Sequence, residues 1–274
     1  MPTTDQISFS LKAYQQIHPD LSQGEAYEVE EAAFSNLKSP PNEATIPHLG
    51  GSLQLGLSEN GLPLLLDLYD PASGPLLVAG DGGGGKTTFL QSLAQSSSDF
   101  QDPGEVQFGV LTPFPEEWSA LEALPNCMGI WPAFHAAARH FLSQLVSWAD
   151  VLPGTRQIIL ILFDGLDLLT TSGFQGQHDL RWLLTYGPRR HVWPVVTVNP
   201  GRLPRLDTWL DYFPTRVLGR VKRPQTANLL LSDPQIKLAE LSPGRQYGLS
   251  RPEGWLKFQL PSVCKKESLK TGIL

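Results

Sequence analysis

The chain has 274 residues, 41% of them hydrophobic and 18% charged, with 25 Gly and 24 Pro, the composition of a turn-rich globular protein and not of a disordered or collagen-like one. Its longest apolar runs, such as 158–163, fall far short of the ~18 residues that span a bilayer, and no charged segment followed by an apolar one opens the chain, so a cytoplasmic protein without a membrane span is expected. The formal net charge of −6 averages two unlike halves: residues 1–136 carry three lysines against 17 acids, a net −14, and residues 137–274 carry 18 Lys and Arg against 10 acids, a net +8.

The first 45 residues read as a helical segment and linker. Ile7, Leu11, Tyr14 and Ile17 recur at helical spacing until Pro19, and Ala26, Val29, Ala33 and Leu37 form a second apolar face behind the capping-box pair Ser22 and Glu25. Ser39-Pro-Pro-Asn42 then breaks the pattern. Residues 46–262 read as the main domain and 263–274 as a basic tail.

From Gly50 onward strands alternate with helices. Segments 52–57 and 62–68 flank Glu59-Asn-Gly61, a hairpin signal. Further β-rich runs lie at 76–79, 106–111, 157–163, 192–198 and 215–221, with helices expected over 86–96, 134–151, 178–186 and 203–212. A closing hairpin is expected from 246–250 and 255–260. Such alternation implies an α/β fold with a central, mostly parallel sheet covered by helices on both faces. Cys127 and Cys264 have neither CxxC nor His-rich spacing, and His135 and His140 fall on different helical faces, so neither pair suggests a metal site.

The most informative residues are Gly80-Asp-Gly-Gly-Gly-Gly-Lys-Thr87, which fit GxxxxGK[ST] between an apolar strand and a helix. Such a loop turns successive N–H groups inward onto phosphate oxygens, and the helix behind it adds its positive end. Gly80, Asp81, Gly82, Gly83, Gly84, Gly85, Lys86, Thr87 and Thr88 are therefore the candidate nucleotide-binding residues. Lys86 would reach the β- and γ-phosphates, and the Thr87 hydroxyl would ligate Mg²⁺. Six apolar residues, 158–163, lead to Asp164, a carboxylate at the end of a buried strand and the second candidate Mg²⁺ group. No Asn-Lys-x-Asp guanine-reading motif is present, which leaves ATP as the expected nucleotide.

These motifs, with the hairpin 55–63 leading into Leu66-Asp-Leu68, the run Phe213-Pro-Thr-Arg-Val-Leu-Gly-Arg220 and Leu241-Ser-Pro-Gly-Arg245, resemble the FtsK/SpoIIIE-type motor ATPases, including EccC-like secretion modules. The resemblance spans about residues 53–261 and implies a RecA/FtsK-like P-loop NTPase fold with ATP and Mg²⁺ as cofactors, while the opposite charges of the two halves suit head-to-tail packing into rings or filaments, or a protein partner. It also exposes departures. The family places Glu directly after the strand-end Asp to polarise the attacking water, and here that position is Gly165. Asp167, Glu116 or Glu117 are the substitutes on offer. The family's Thr-Gln-Arg-Pro segment corresponds to Thr197-Val-Asn-Pro200, leaving Asn199 to sense the γ-phosphate. Where the family carries an arginine finger stands Asn228, with Arg216, Arg220 and Arg223 as alternatives acting in trans.

Lys86, Asp164, Asp167 and Asn199 are thus the candidate catalytic set of a weak or partner-dependent ATPase. Phe163-Asp-Gly-Leu-Asp167 also resembles the strand-end motif of NACHT-type switch NTPases, in which nucleotide state gates assembly. The basic clusters at 189–191, 202–205 and 222–223 suit duplex phosphates, whereas the overall pI near 5.5 favours a protein partner over DNA.

Overall fold

The computed structural model describes residues 51–261 apart from 134, 152–155, 170–172, 232, 234 and 253. The helical segment expected over 1–45 and the tail 263–274 lie outside the described residues.

The strands are β1 (Ser52–Ser58), β2 (Pro63–Asp67), β3 (Leu76–Ala79), β4 (Val106–Thr112), β5 (Cys127–Pro132), β6 (Ile158–Phe163), β7 (Val192–Val198), β8 (Thr215–Leu218), β9 (Gln246–Arg251) and β10 (Gly254–Gln259). Among the described residues they form one ten-stranded sheet in the order β2-β1-β10-β9-β8-β3-β7-β6-β4-β5. From β8 to β5 every neighbouring pair is parallel, and the two hairpins at the other edge are antiparallel. The helices that carry the argument are α1 (Lys86–Phe100), α2 (Ser119–Glu122), α3 (Ala136–Val151), α4 (Leu166–Leu169) and α5 (Gly173–Tyr186).

Two hydrophobic clusters, one on each face, explain the unbroken apolar runs of the central strands. Leu77, Ala79, Ile159, Ile161, Phe163, Val196 and Val198 join the cluster beneath α3 and α5. Their neighbours Leu76, Val78, Ile158, Leu160, Leu162 and Val195 join the one beneath α1. Because side chains alternate across a strand, a strand buried on both faces needs an apolar residue at every position. Each Val, Leu, Ile or Phe side chain among them contributes roughly 1.5–3 kcal/mol when buried.

Three expectations change. Residues 203–212 do not form one helix: a 3-10 helix, Pro200–Arg205, is followed by a short α-helix, Asp207–Leu210. Pro204 lacks the N–H that a continuous α-helix needs at that place. The strand expected over 215–221 ends at Leu218, and the following residues run beside the phosphate loop. β5 is an additional edge strand, paired in parallel with β4 across a register shift between Phe108 and Gly109.

Candidate functional site

β3 ends at Ala79 in the middle of the sheet, and six residues must carry the chain from there into α1. Gly85 closes this loop at φ 90°, in the left-handed region that glycine adopts without strain. A Cβ there would lie 2.3 Å from the Gly244 Cα and 2.6 Å from the Tyr247 hydroxyl. At Gly82, by contrast, a Cβ would meet nothing within 4 Å, so this stretch of the loop faces open space.

Two segments from the C-terminal third clasp the loop. On one side Asp81 N donates to the Arg220 carbonyl at 2.9 Å, and Lys222 N donates to Asp81 Oδ2 at 2.8 Å. On the other, Gly244 N donates to the Gly84 carbonyl at 3.4 Å, and the Tyr247 hydroxyl donates to the Gly85 carbonyl at 2.8 Å. Burial holds the Tyr247 phenol well above its usual titration range, so it stays a neutral donor. The loop conformation is therefore built into the protein before any ligand arrives.

Lys86 Nζ donates to the carbonyls of Gly80 and Asp81 at 2.9 and 3.0 Å, across the mouth of the loop. Burial lowers its pKa, while the carboxylates of Asp164 and Asp81 act in the opposite sense. A half-buried ammonium facing backbone oxygens gains from an anion placed beside it.

Asp164 follows β6 and receives two hydroxyls. Thr87 Oγ1 donates to Oδ2 at 2.9 Å, and Thr197 Oγ1 donates to Oδ1 at 2.9 Å. One carboxylate beside one hydroxyl is an all-oxygen set that suits Mg²⁺, which takes few protein ligands and completes its shell with substrate phosphates and water. No group of three or more His, Cys, Asp and Glu side chains stands ready to hold a metal alone among the described residues.

The structure thus brings together Gly80 to Thr88 and Asp164. Asp167, in the first turn of α4, and Asn199, just after β7, lie close along the chain to Asp164 and Thr197 and are engaged there. Asp167 is ion-paired with Arg202. Asn199 Oδ1 accepts from Gly201 N at 3.0 Å and caps the 3-10 helix, while its Nδ2 makes no hydrogen bond to a described residue. Gly165, at φ 120°, offers no side chain. Glu117 borders a cleft beside α1, its carbonyl accepting from Gln91.

Among the candidate arginines, Arg216 donates to the carbonyls of Phe213, Leu230 and Leu210 within its own chain. Arg220 sets its main chain on its own phosphate loop, with a buried Nε that has no hydrogen-bond partner. Asn228 caps the helix Pro224–Ala227.

A cleft of about 500 Å³ runs from the loop along α1, lined by Thr88, Gln91, Glu117, Leu121, Gly244 and Arg245 among others. That volume lies within the range of small-ligand sites. Thr197 and Tyr247 were absent from the sequence-derived site. Thr197 had a signal, being the one polar residue in 192–198 and sharing parity with Val195, which faces the α1 layer.

Residues 48–148 match the sequence model of the FtsK/SpoIIIE family. The protein carries an FtsK/SpoIIIE-type domain. The fold is shared with solved structures over about four fifths of the chain. It is similar to the cytoplasmic domain of the Thermomonospora curvata type VII secretion ATPase EccC, at TM-score 0.62 and 14% identity over 79% of this chain and 27% of that one. It is also similar to EssC (ATPases 2 and 3) from Geobacillus thermodenitrificans, at TM-score 0.63 and 13% identity over 81% and 48% of the two chains. The pCW3 conjugation coupling protein TcpA, in its monomer form with ATPγS, matches at TM-score 0.59 and 16% identity over 80% and 68%. At these identities the likeness concerns the fold alone. The chain spans about a quarter of the EccC structure and about half of the EssC one. A search of curated proteins finds no match. No helix of the described residues is long and apolar enough to cross a membrane.

Proposed function

We propose that this FtsK/SpoIIIE-type domain, residues 46–262, binds ATP with Mg²⁺ and hydrolyses it slowly unless a partner activates it. The observation that carries the reading is the preformed phosphate loop with Thr87 and Asp164 joined by a 2.9 Å hydrogen bond. Backbone N–H groups of Gly82, Gly83 and Gly85 to Thr88, with the N-terminal end of α1, receive the polyphosphate, while the Gly84 N–H holds the Asp81 carbonyl. Lys86 turns from the Gly80 and Asp81 carbonyls to the β- and γ-phosphates. Thr87 and Asp164 would hold Mg²⁺, which when bound neutralises charge on the phosphate oxygens. The nucleoside half lies in the cleft that continues from Thr88 and Gly244, between the α1 side chains and the Arg245 segment. The ATPγS held by TcpA is consistent with this use of the fold.

The slow turnover follows from what surrounds the γ-phosphate. Gly165 cannot orient water, Asp167 is the nearest substitute along the chain, and Asn199 Nδ2 is the remaining donor toward the γ-phosphate. Arg216 is committed to its own chain's carbonyls, so an arginine acting on a neighbour would come from Arg220 or Arg223. Asp167 takes the proton from the attacking water. We place the protein in the cytoplasm, working as a ring or head-to-tail oligomer or against a protein partner, with the acidic and basic halves of the chain meeting between protomers.

A second reading, a nucleotide switch without turnover, is favoured by one observation: Tyr247 and Gly244 tie the C-terminal hairpin to the loop, so nucleotide occupancy is transmitted to β9 and β10. Turnover measured on the purified chain, with Lys86→Ala and Asp167→Asn as controls, separates the two. Slow hydrolysis lost in both variants supports the ATPase; binding without any hydrolysis supports the switch. Fast basal turnover unaffected by Asp167→Asn would contradict the first reading, and duplex DNA that stimulates it would make a DNA motor the better account.

A further inference from the structure

Arg202 Nη1 donates to Oδ2 of Asp167, in the first turn of α4. The two residues belong to the short helices that follow the neighbouring strands β6 and β7: Asp167 lies three residues beyond Asp164, and Arg202 five beyond Thr197, which bonds Asp164. Asn199 caps the 3-10 helix that carries Arg202, which fixes the start of that helix relative to β7. The Arg202 side chain is 60% exposed and that of Asp167 20%, so the pair sits at the lip of the site, where solvent and a partner reach the arginine first.

We infer that Arg202 is a positioning residue that restrains Asp167 and thereby sets the basal rate; this rests on the reading of Asp167 as the group that accepts the water proton. In the hydrolytic step the water oxygen bonds to the γ-phosphorus. The bond from that phosphorus to the β,γ-bridging oxygen breaks, and its electron pair leaves with ADP. The water proton passes to the Asp167 carboxylate and from there to solvent. A guanidinium on Oδ2 ties the carboxylate to the 3-10 helix after β7 and occupies an oxygen that the water proton would otherwise reach. Turnover therefore waits for the pair to open. A partner that offers Arg202 a carboxylate of its own lifts this restraint from Asp167, which gives partner dependence a chemical form.

The test measures steady-state ATP hydrolysis by the full chain with Mg²⁺ for wild type, Arg202→Gln, Arg202→Lys, Asp167→Asn and the double variant Arg202→Gln/Asp167→Asn. Nucleotide affinity and thermal unfolding, recorded for each, report on folding. The inference expects Arg202→Gln to raise kcat about fivefold or more with KM unchanged, a fraction of the roughly 10²–10⁴ that general-base catalysis supplies. Arg202→Lys, which keeps a cation for the pair, stays near wild type, and the double variant falls to the rate of Asp167→Asn. Turnover that appears only once Arg202 is replaced also supports it. A lower or unchanged kcat in folded, nucleotide-binding Arg202→Gln overturns it, including the case in which neither protein turns over. If Asp167→Asn slows hydrolysis but Arg202→Gln does not speed it, the restraint fails and the base assignment stands. If wild type turns over and Asp167→Asn keeps its rate, or if the double variant keeps the rate of Arg202→Gln, both fail together.

Discussion

Thr197 on β7 donates its hydroxyl to Oδ1 of Asp164 at 2.9 Å, leaving Oδ2 to the Thr87 hydroxyl. The parallel register pairs Leu162 with Val195 and Phe163 with Val196, so the next step along both strands brings Asp164 beside Thr197. Thr197 is buried, and its hydroxyl fixes the orientation of the carboxylate. Thr197→Val keeps the side-chain shape but removes the donor. It is expected to lower stability by about 1–2 kcal/mol and to raise the Mg²⁺ concentration needed for tight ATP binding, while Thr197→Ser restores both. Titrating Mg²⁺ at fixed ATP checks this; an unchanged Mg²⁺ dependence in Thr197→Val would mean that the hydroxyl does not position Asp164.

The phosphate loop responds to substitution according to what each glycine faces. Gly85→Ala places a Cβ 2.3 Å from the Gly244 Cα at a left-handed φ, and it should destabilise the fold by several kcal/mol (~3 or more) and abolish nucleotide binding. Gly82→Ala meets nothing within 4 Å and should unfold within about 0.5 kcal/mol of wild type. Urea unfolding of the two variants side by side decides the matter, and equal losses would show that the clasp around Gly85 is not what holds the loop.

Removing one hydroxyl tests the clasp from the other side. Tyr247→Phe leaves the Gly85 carbonyl with the Phe89 N–H alone and should cost about 1 kcal/mol of stability together with a measurable loss of ATP affinity. An affinity equal to wild type, with the stability loss present, would confine Tyr247 to the core.

How much of this was legible in the sequence follows from the range of each interaction. The phosphate loop, Asp164 and the buried runs 76–79, 158–163 and 192–198 are local patterns, and the structure forms a strand at each of these runs. β5 was missed because an edge strand holding Gly129 and Pro132 carries neither alternation nor a continuous apolar run. The clasp was illegible for a different reason: Tyr247 and Gly85 are 162 residues apart, and nothing along the chain says which carbonyl a buried phenol will find. The Asp167–Arg202 pair likewise joins two short helices that meet only because β6 and β7 are neighbours.

Lys86 gives a pH signature. Burial lowers its pKa in the folded chain below the ordinary lysine value of 10.5, so near neutral pH the protein bears the cost of a desolvated ammonium. Between the folded and unfolded pKa values the unfolded chain binds more protons, and stability therefore rises with pH. Lys86→Met, which removes the charge, should be more stable than wild type at pH 7 without nucleotide, and the gap should narrow as pH approaches 10.5. A gap that widens with pH would mean that the Asp164 and Asp81 carboxylates outweigh burial.

The unequal halves of the chain, −14 and +8, give the proposed head-to-tail association a salt dependence. Light scattering at high protein concentration with ATP and Mg²⁺ should show assemblies that dissociate between about 0.05 and 0.5 M salt as the Debye length shrinks. A monomer under all these conditions would leave the charge separation unconnected with self-association.

The central claim is that the preformed loop and Asp164 make a nucleotide site, and calorimetric titration of Mg·ATP into the wild-type chain and into Lys86→Ala tests it most directly. The account predicts saturable binding by wild type at one site per chain, weakened at least tenfold, about 1.4 kcal/mol, in a Lys86→Ala protein that remains folded. Equal affinity in the two proteins, or no binding by the folded wild type, would contradict it.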